Sequence, residues 1–147
     1  MKAQQLWQHF EQETGIQATY KAWSFCGGGK DGDRLGNLVL QGIKTATASL
    51  AKEYIDEPMP KVGEYSVILD SHENAMCIIQ TTKITVVPFI EVDEKQAYLE
   101  GEGDRTLSYW RKVHQEFFEA ETKELNMSLD ENDLVVCEEF KVVYRAC

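Results

Sequence analysis

Apolar residues open the chain at Ala3, Leu6, Trp7 and Phe10, a spacing of three and four that belongs to one face of a helix, and Gly15 follows as a stop. The pattern predicts a helix over residues 2–14 whose stripe covers a sheet. Between residues 20 and 32 the period is lost. Trp23 and Phe25 lead into Gly27-Gly28-Gly29, which reads as a loop held by two aromatic anchors. Helical spacing returns with Leu35, Leu38 and Val39, for which Asp31 or Asp33 is the expected cap and Gly42 the expected end. A strand is expected from Lys44.

Beyond Pro58 and Pro60 the pattern turns to strands. Residues 65–69 and 75–87 are rich in β-branched side chains and flank the polar turn Ser71-His72-Glu73-Asn74, so they predict a hairpin that Pro88 ends. Asp93 is placed to cap a short helix to about Leu99. After the acidic loop Glu100-Gly101-Glu102-Gly103-Asp104, the residues Leu107, Trp110, His114, Phe117 and Phe118 mark one face of a longer helix ending near Thr122. A last strand is expected over residues 134–144. With no repeat or linker, residues 1–147 read as one α+β domain with a small, strongly bent sheet.

Charge narrows the choice of partners. Acidic residues outnumber basic ones 25 to 15, for a net charge of −10, so the field of the molecule repels a long polyanion. Extended duplex DNA is not an expected partner, and a small or weakly charged ligand fits better. A chain of this length buries roughly two-thirds of its unfolded surface and folds without a disulfide or metal. Cys26, Cys77, Cys137 and Cys147 form no C-x-x-C pair and lie far in sequence from His9, His72 and His114, so neither a metal nor another cofactor is expected. Cys26, in the glycine loop, is the thiol expected to see solvent. No segment has the length of a membrane span and the N-terminus lacks the regions of a signal peptide, so the expectation is a cytoplasmic protein with no membrane partner.

Candidate chemistry concentrates in the run Gly42-Ile43-Lys44-Thr45-Ala46-Thr47-Ala48-Ser49-Leu50, where one cation and three hydroxyls stand at the mouth of a strand. An ideal strand would point Lys44 and Thr47 to opposite faces, so cooperation requires Lys44 to sit in the bend before the strand. Drawn into a pocket, that lysine serves as a base or a cationic clamp. The plain alternative is a solvated lysine. Glu100 and Glu102 are candidate acids in the glycine-flanked loop, and Asp104 fits the start of the following helix. Trp23 and Phe25 offer faces for a planar ligand. Trp110 and His114 read as core, Arg111 with Lys112 as a local positive edge, and Ser49 as a second hydroxyl.

These residues resemble a known family. Gly42-x-Lys44-x-x-Thr47-x-Ser49 resembles the signature of ASCH domains, and Glu100-Gly101-Glu102-Gly103-Asp104 with Leu107, Trp110, Arg111, His114 and Phe117 resembles their second block. Trp23 and Phe25 ahead of the glycines fit the longer bacterial members. The resemblance implies a PUA-like fold, a small mixed β-barrel with flanking helices and a cleft between the lysine strand and the acidic loop. It also implies a divided set of activities: RNA-binding modules, ribonucleases, and amidohydrolases that remove the acetyl group from 4-acetylcytidine. Carried over, the catalytic residues of the last are Lys44, Thr47 and Glu102, with Glu100 the next choice of acid. The leading expectation is therefore an amidohydrolase for an acylated nucleoside. Lys44 would take the Thr47 proton, Glu102 would protonate the leaving amine, and Trp23, Phe25, Ser49, Glu100 and Arg111 would contact substrate. The alternative is a module or ribonuclease receiving single-stranded RNA in the same cleft. Oligomeric state stays open.

Overall fold

Strand segments whose partners lie as far apart as Ala46 and Glu139 pair into one five-stranded sheet, and four helices pack around it. The structure is a computed structural model that describes residues 1–146. Its elements are α1 (Ala3–Thr14), β1 (Tyr20–Trp23), α2 (Gly29–Leu40), β2 (Ala46–Leu50), β3 (Tyr65–Leu69), β4 (Ala75–Pro88), α3 (Glu94–Glu100), α4 (Leu107–Glu124) and β5 (Leu134–Arg145). The strands run in the order β1-β3-β4-β5-β2, with β1 parallel to β3 and every other pair antiparallel. Register shifts at Ile78/Ile79 and Thr81/Lys83 interrupt the long β4–β5 ladder, and such bulges bend the strands that carry them.

The expected α+β class holds, while the closed barrel does not. Among the described residues β1 and β2 are the two edges and do not pair, leaving an open sheet. Residues of both edges line a cleft, which occupies the gap that closure would have filled.

Three apolar clusters cement the layers. Leu6, Trp7 and Phe10 of α1 pack on Val67 and Ile78, Leu35 and Val39 of α2 on Ile68, Cys77 and Phe140, and Trp110 and Phe118 of α4 on Leu50 and Val135. Cys77 and Cys137 are buried free thiols, which burial pushes up to about 11 and about 12 respectively; Cys26 is exposed, and Cys147 lies outside the described residues. Among the described residues no helix is long and apolar enough to cross a membrane.

Three local expectations need correction. Residues 20–23 form strand β1 rather than loop, because they find a parallel partner in residues 65–68. Neither Asp31 nor Asp33 caps α2. Gly27, Gly28 and Gly29 all have positive φ and bring the chain into the helix at Gly29, so Asp31 falls in the first turn and Asp33 instead accepts from Ser71 N and Oγ, each at 2.7 Å. Strand β2 starts at Ala46, two residues after Lys44. Gly42 does end α2: its φ of +76° lets the amides of Gly42 and Lys44 turn back to the carbonyls of Val39 and Leu38.

Candidate functional site

The bend between α2 and β2 carries Lys44 inward, and the end of α3 is locked onto that bend. Thr45 N donates to Leu99 O at 2.8 Å, and Gly101, at φ +74°, leaves no room for a Cβ, which would sit 2.7 Å from Ile43 O. This close approach brings the acidic loop to Lys44. Only 2% of Lys44 is exposed, which excludes the solvated alternative. Its Nζ donates to Ala46 O at 2.8 Å and faces Glu100 Oε1 at 3.5 Å and Glu102 Oε2 at 4.0 Å, with the Phe25 ring 5.4 Å away. The ammonium thus makes one hydrogen bond to a carbonyl and two ion pairs to carboxylates.

Glu100 is the hub. Trp110 Nε1 donates to its Oε2 at 2.6 Å and Gln96 Nε2 at 3.0 Å, while His114 Nε2 stands 3.3 Å from Oε1. Burial opposes charge on this carboxyl, but Lys44, His114 and Gln96 outweigh it and hold it down at about 2. Gln96 also donates to Thr47 O at 3.2 Å, tying the hub to β2. His114 stacks on Trp110, with ring centroids 4.1 Å apart, and its Nδ1 lies 2.9 Å from Trp110 O. Glu102 stands nearer the surface, 3.9 Å from Arg34 Nη2. Donor atoms of Glu100, Glu102 and His114 lie within 4.8 Å of one another, close enough to share a metal ion, but the Lys44 ammonium already sits beside both carboxylates.

On the other side of Phe25 opens a cleft of about 500 Å³ between the sheet edges. Trp23 stands edge-on to Phe25, centroids 4.8 Å apart, and Thr47 and Ser49 of β2 line the same cleft. Ser49 Oγ and Tyr54 OH share a hydrogen bond of 2.7 Å. Directly opposite Thr47 in the β2–β5 register is Glu138, whose carboxyl burial pushes up to about 7, against the Thr81 hydroxyl and with help from Glu64. Glu121 is also raised to about 7, by burial and by its neighbour Glu53. Five glutamates line this cleft, Glu53, Glu57, Glu64, Glu121 and Glu138, against one lysine, Lys21.

The structure thus brings Lys44, Glu100 and Glu102 into one buried cluster and sets Trp23, Phe25, Thr47 and Ser49 along the adjoining cleft. Arg111 joins neither. Its guanidinium donates to the carbonyls of Phe89, Ile90 and Val92 at 2.7–2.9 Å, so the expected substrate contact is replaced by a tie between α4 and the turn after β4. Sequence reasoning missed Gln96, Arg34 and Glu138 and assigned His114 and Trp110 to the core alone. The spacing of Gln96 and Glu100, one helical turn apart, was the available signal for the first.

The profile of the ASCH domain family matches residues 21–144. The chain belongs to the ASCH domain family. The solved ASCH domain from Lactobacillus crispatus JV V101 superimposes with a TM-score of 0.89 at 31% identity, covering 97% of this chain and 94% of that one. Protein EF3133 from Enterococcus faecalis V583, described under the family label DUF984, gives 0.90 at 36% identity over 97% of this chain and 88% of its own. The hypothetical protein PH0355, at 18% identity and a TM-score of 0.53, shares the fold alone. A search of curated proteins finds no significant match.

Proposed function

We propose that this ASCH domain is an amide hydrolase acting on an N-acylated nucleoside or a related flat heterocycle. One observation carries the reading: the Lys44 ammonium, buried between Glu100 and Glu102, grips the Ala46 carbonyl one residue before Thr47 on the cleft wall. Thr47 Oγ attacks the acyl carbon while its proton passes to Glu102. Collapse of the adduct breaks the C–N bond, and the leaving amine takes that proton. Water then attacks the threonine ester, gives a proton to Glu102, and frees the acid as Thr47 recovers its hydrogen. Lys44 is buried behind the cleft wall, where it holds Glu102 and the Ala46 carbonyl beside Thr47 in place rather than acting as the expected base. Trp23 supports the base by stacking.

The lining of the cleft also weighs between ligands. Five glutamates and one lysine repel a phosphate chain, which favours an uncharged nucleoside over single-stranded RNA. The test is release of cytidine from 4-acetylcytidine. The wild-type chain should turn it over, and Thr47→Ala and Glu102→Gln should each lose about a hundredfold in rate or more. Equal rates in all three would discard the reading.

A further inference from the structure

Glu138 is one of the five cleft glutamates, none of which the reaction above uses, and the one that faces Thr47 across the ladder. It sits in the middle of β5, paired across the ladder with Thr47, and side chains at opposed positions of an antiparallel pair share a face with Cβ atoms about 5 Å apart. Whatever Thr47 attacks therefore lies within reach of Glu138. The carboxyl is mostly covered, and among the described residues only Thr81 donates to it, at a long 3.4 Å to Oε1. Thr81 takes one of the carboxyl's roughly four acceptor positions, which leaves Oε2 for a ligand in the cleft. Trp23 lines the same cleft.

We propose that Glu138 is the specificity-determining residue of this cleft, pairing in two-point fashion with the N–H and ring-nitrogen edge of an uncharged acylated heterocycle whose acyl group lies over Thr47. The inference rests on the amide-hydrolase reading for the identity of the ligand, and on the register of β2 and β5 for the geometry. A carboxyl that keeps its proton presents one donor and one acceptor side by side, which matches an amidine-like edge; an ionised carboxylate presents acceptors alone. Charged and titratable groups facing the cleft with Glu138 are Lys21 of β1, Glu64 before β3, Glu53, Tyr54 and Glu57 after β2, and Glu121 of α4, itself raised to about 7; Lys21 favours ionisation of Glu138 and Glu64 opposes it. With its carboxyl raised to about 7, Glu138 changes form across the neutral range.

The sign follows directly. The two-point pair is complete below the pKa and loses its donor above it, so KM for 4-acetylcytidine should rise between about pH 6 and about pH 8. Glu138→Gln carries a donor and an acceptor at every pH, so its KM should be flat over that range. Glu138→Ala should raise KM about tenfold, by more than it lowers kcat, with an unchanged circular dichroism spectrum. The same affinities are then measured by calorimetry in the Thr47→Ala background, where turnover is suppressed. If wild type shows no hydrolysis but binding still depends on Glu138, the hydrolase reading fails and the recognition role stands. If hydrolysis is present and Glu138→Ala leaves both KM and calorimetric affinity within about twofold, the recognition role is overturned alone. A pH profile of KM in Glu138→Gln that matches wild type also overturns it, and absence of both binding and turnover in wild type overturns both.

Discussion

Lys44 and Glu100 meet at 3.5 Å with side chains 1% and 2% exposed, at the point where the bend before β2 touches the end of α3. A buried pair contributes little net stability compared with an apolar replacement, but removing one partner strands the other charge at a cost of about 3–5 kcal/mol. Lys44→Met should therefore destabilise the fold by about that amount. Adding Glu100→Gln to it should cost much less than the two single changes combined. Urea unfolding of the four proteins in a double-mutant cycle checks the coupling, and additive effects would refute it.

Acid and alkaline stability should be controlled by different glutamates. Burial resists charge on Glu100, but Lys44, His114 and Gln96 bring its carboxyl from 4.5 down to about 2. A carboxyl lowered in the folded state stabilises above its unfolded value, and that contribution drains away as pH falls from 4.5 towards 2. Glu138 and Glu121 are displaced the other way, to about 7, chiefly by burial. Raised carboxyls favour the folded chain at low pH and withdraw that support as pH climbs from 4.5 through 7. Unfolding free energy should peak near about pH 5, with Glu100→Gln flattening the acid limb and Glu138→Gln the other. A steady rise in stability from about pH 5 to about pH 8 would contradict these assignments.

Gly101 and Gly15 share the same φ of +74°, yet a Cβ at Gly15 meets nothing within 4 Å while one at Gly101 meets Ile43 O at 2.7 Å. Alanine at Gly15 should cost about 1 kcal/mol for backbone strain alone. Alanine at Gly101 should cost about 2 kcal/mol more, because the acidic loop must back away from Ile43 and take Glu100 and Glu102 from Lys44. Thermal melts of the two variants isolate that difference. Equal losses would mean that close packing at Gly101 does not hold the site together.

Legibility followed the range of the interaction. The period of α1, the hairpin of β3 and β4, the Asp93 cap and the Gly42 stop depend on neighbours a few residues away, and their signals stand in the local pattern. Strand β1 was hidden because its partner lies 45 residues on and its four residues alternate too briefly to show a period. The Lys44–Glu100–Glu102 cluster was readable through the family's motif, since composition alone fits a solvated lysine equally well. Glu138 was invisible for a stricter reason. Two adjacent acids in a strand place one on each face, and only the β2–β5 register says that the first faces Thr47.

Arg111 stands in the block that resembles the family's second motif, yet its three hydrogen bonds go to the carbonyls of Phe89, Ile90 and Val92, and its guanidinium lies 5.7 Å from the Phe89 ring. Those carbonyls belong to the turn where β4 hands over to α3, so the arginine braces the approach to Glu100 from behind. Lysine retains the charge but cannot spread donors over three carbonyls from a planar fork. Arg111→Lys should lower stability by about 1–3 kcal/mol while KM for an acylated nucleoside stays within about twofold, since the residue does not line the cleft. Denaturant melts and initial rates on the same preparation separate the two effects. A large rise in KM with unchanged stability would return Arg111 to the substrate side.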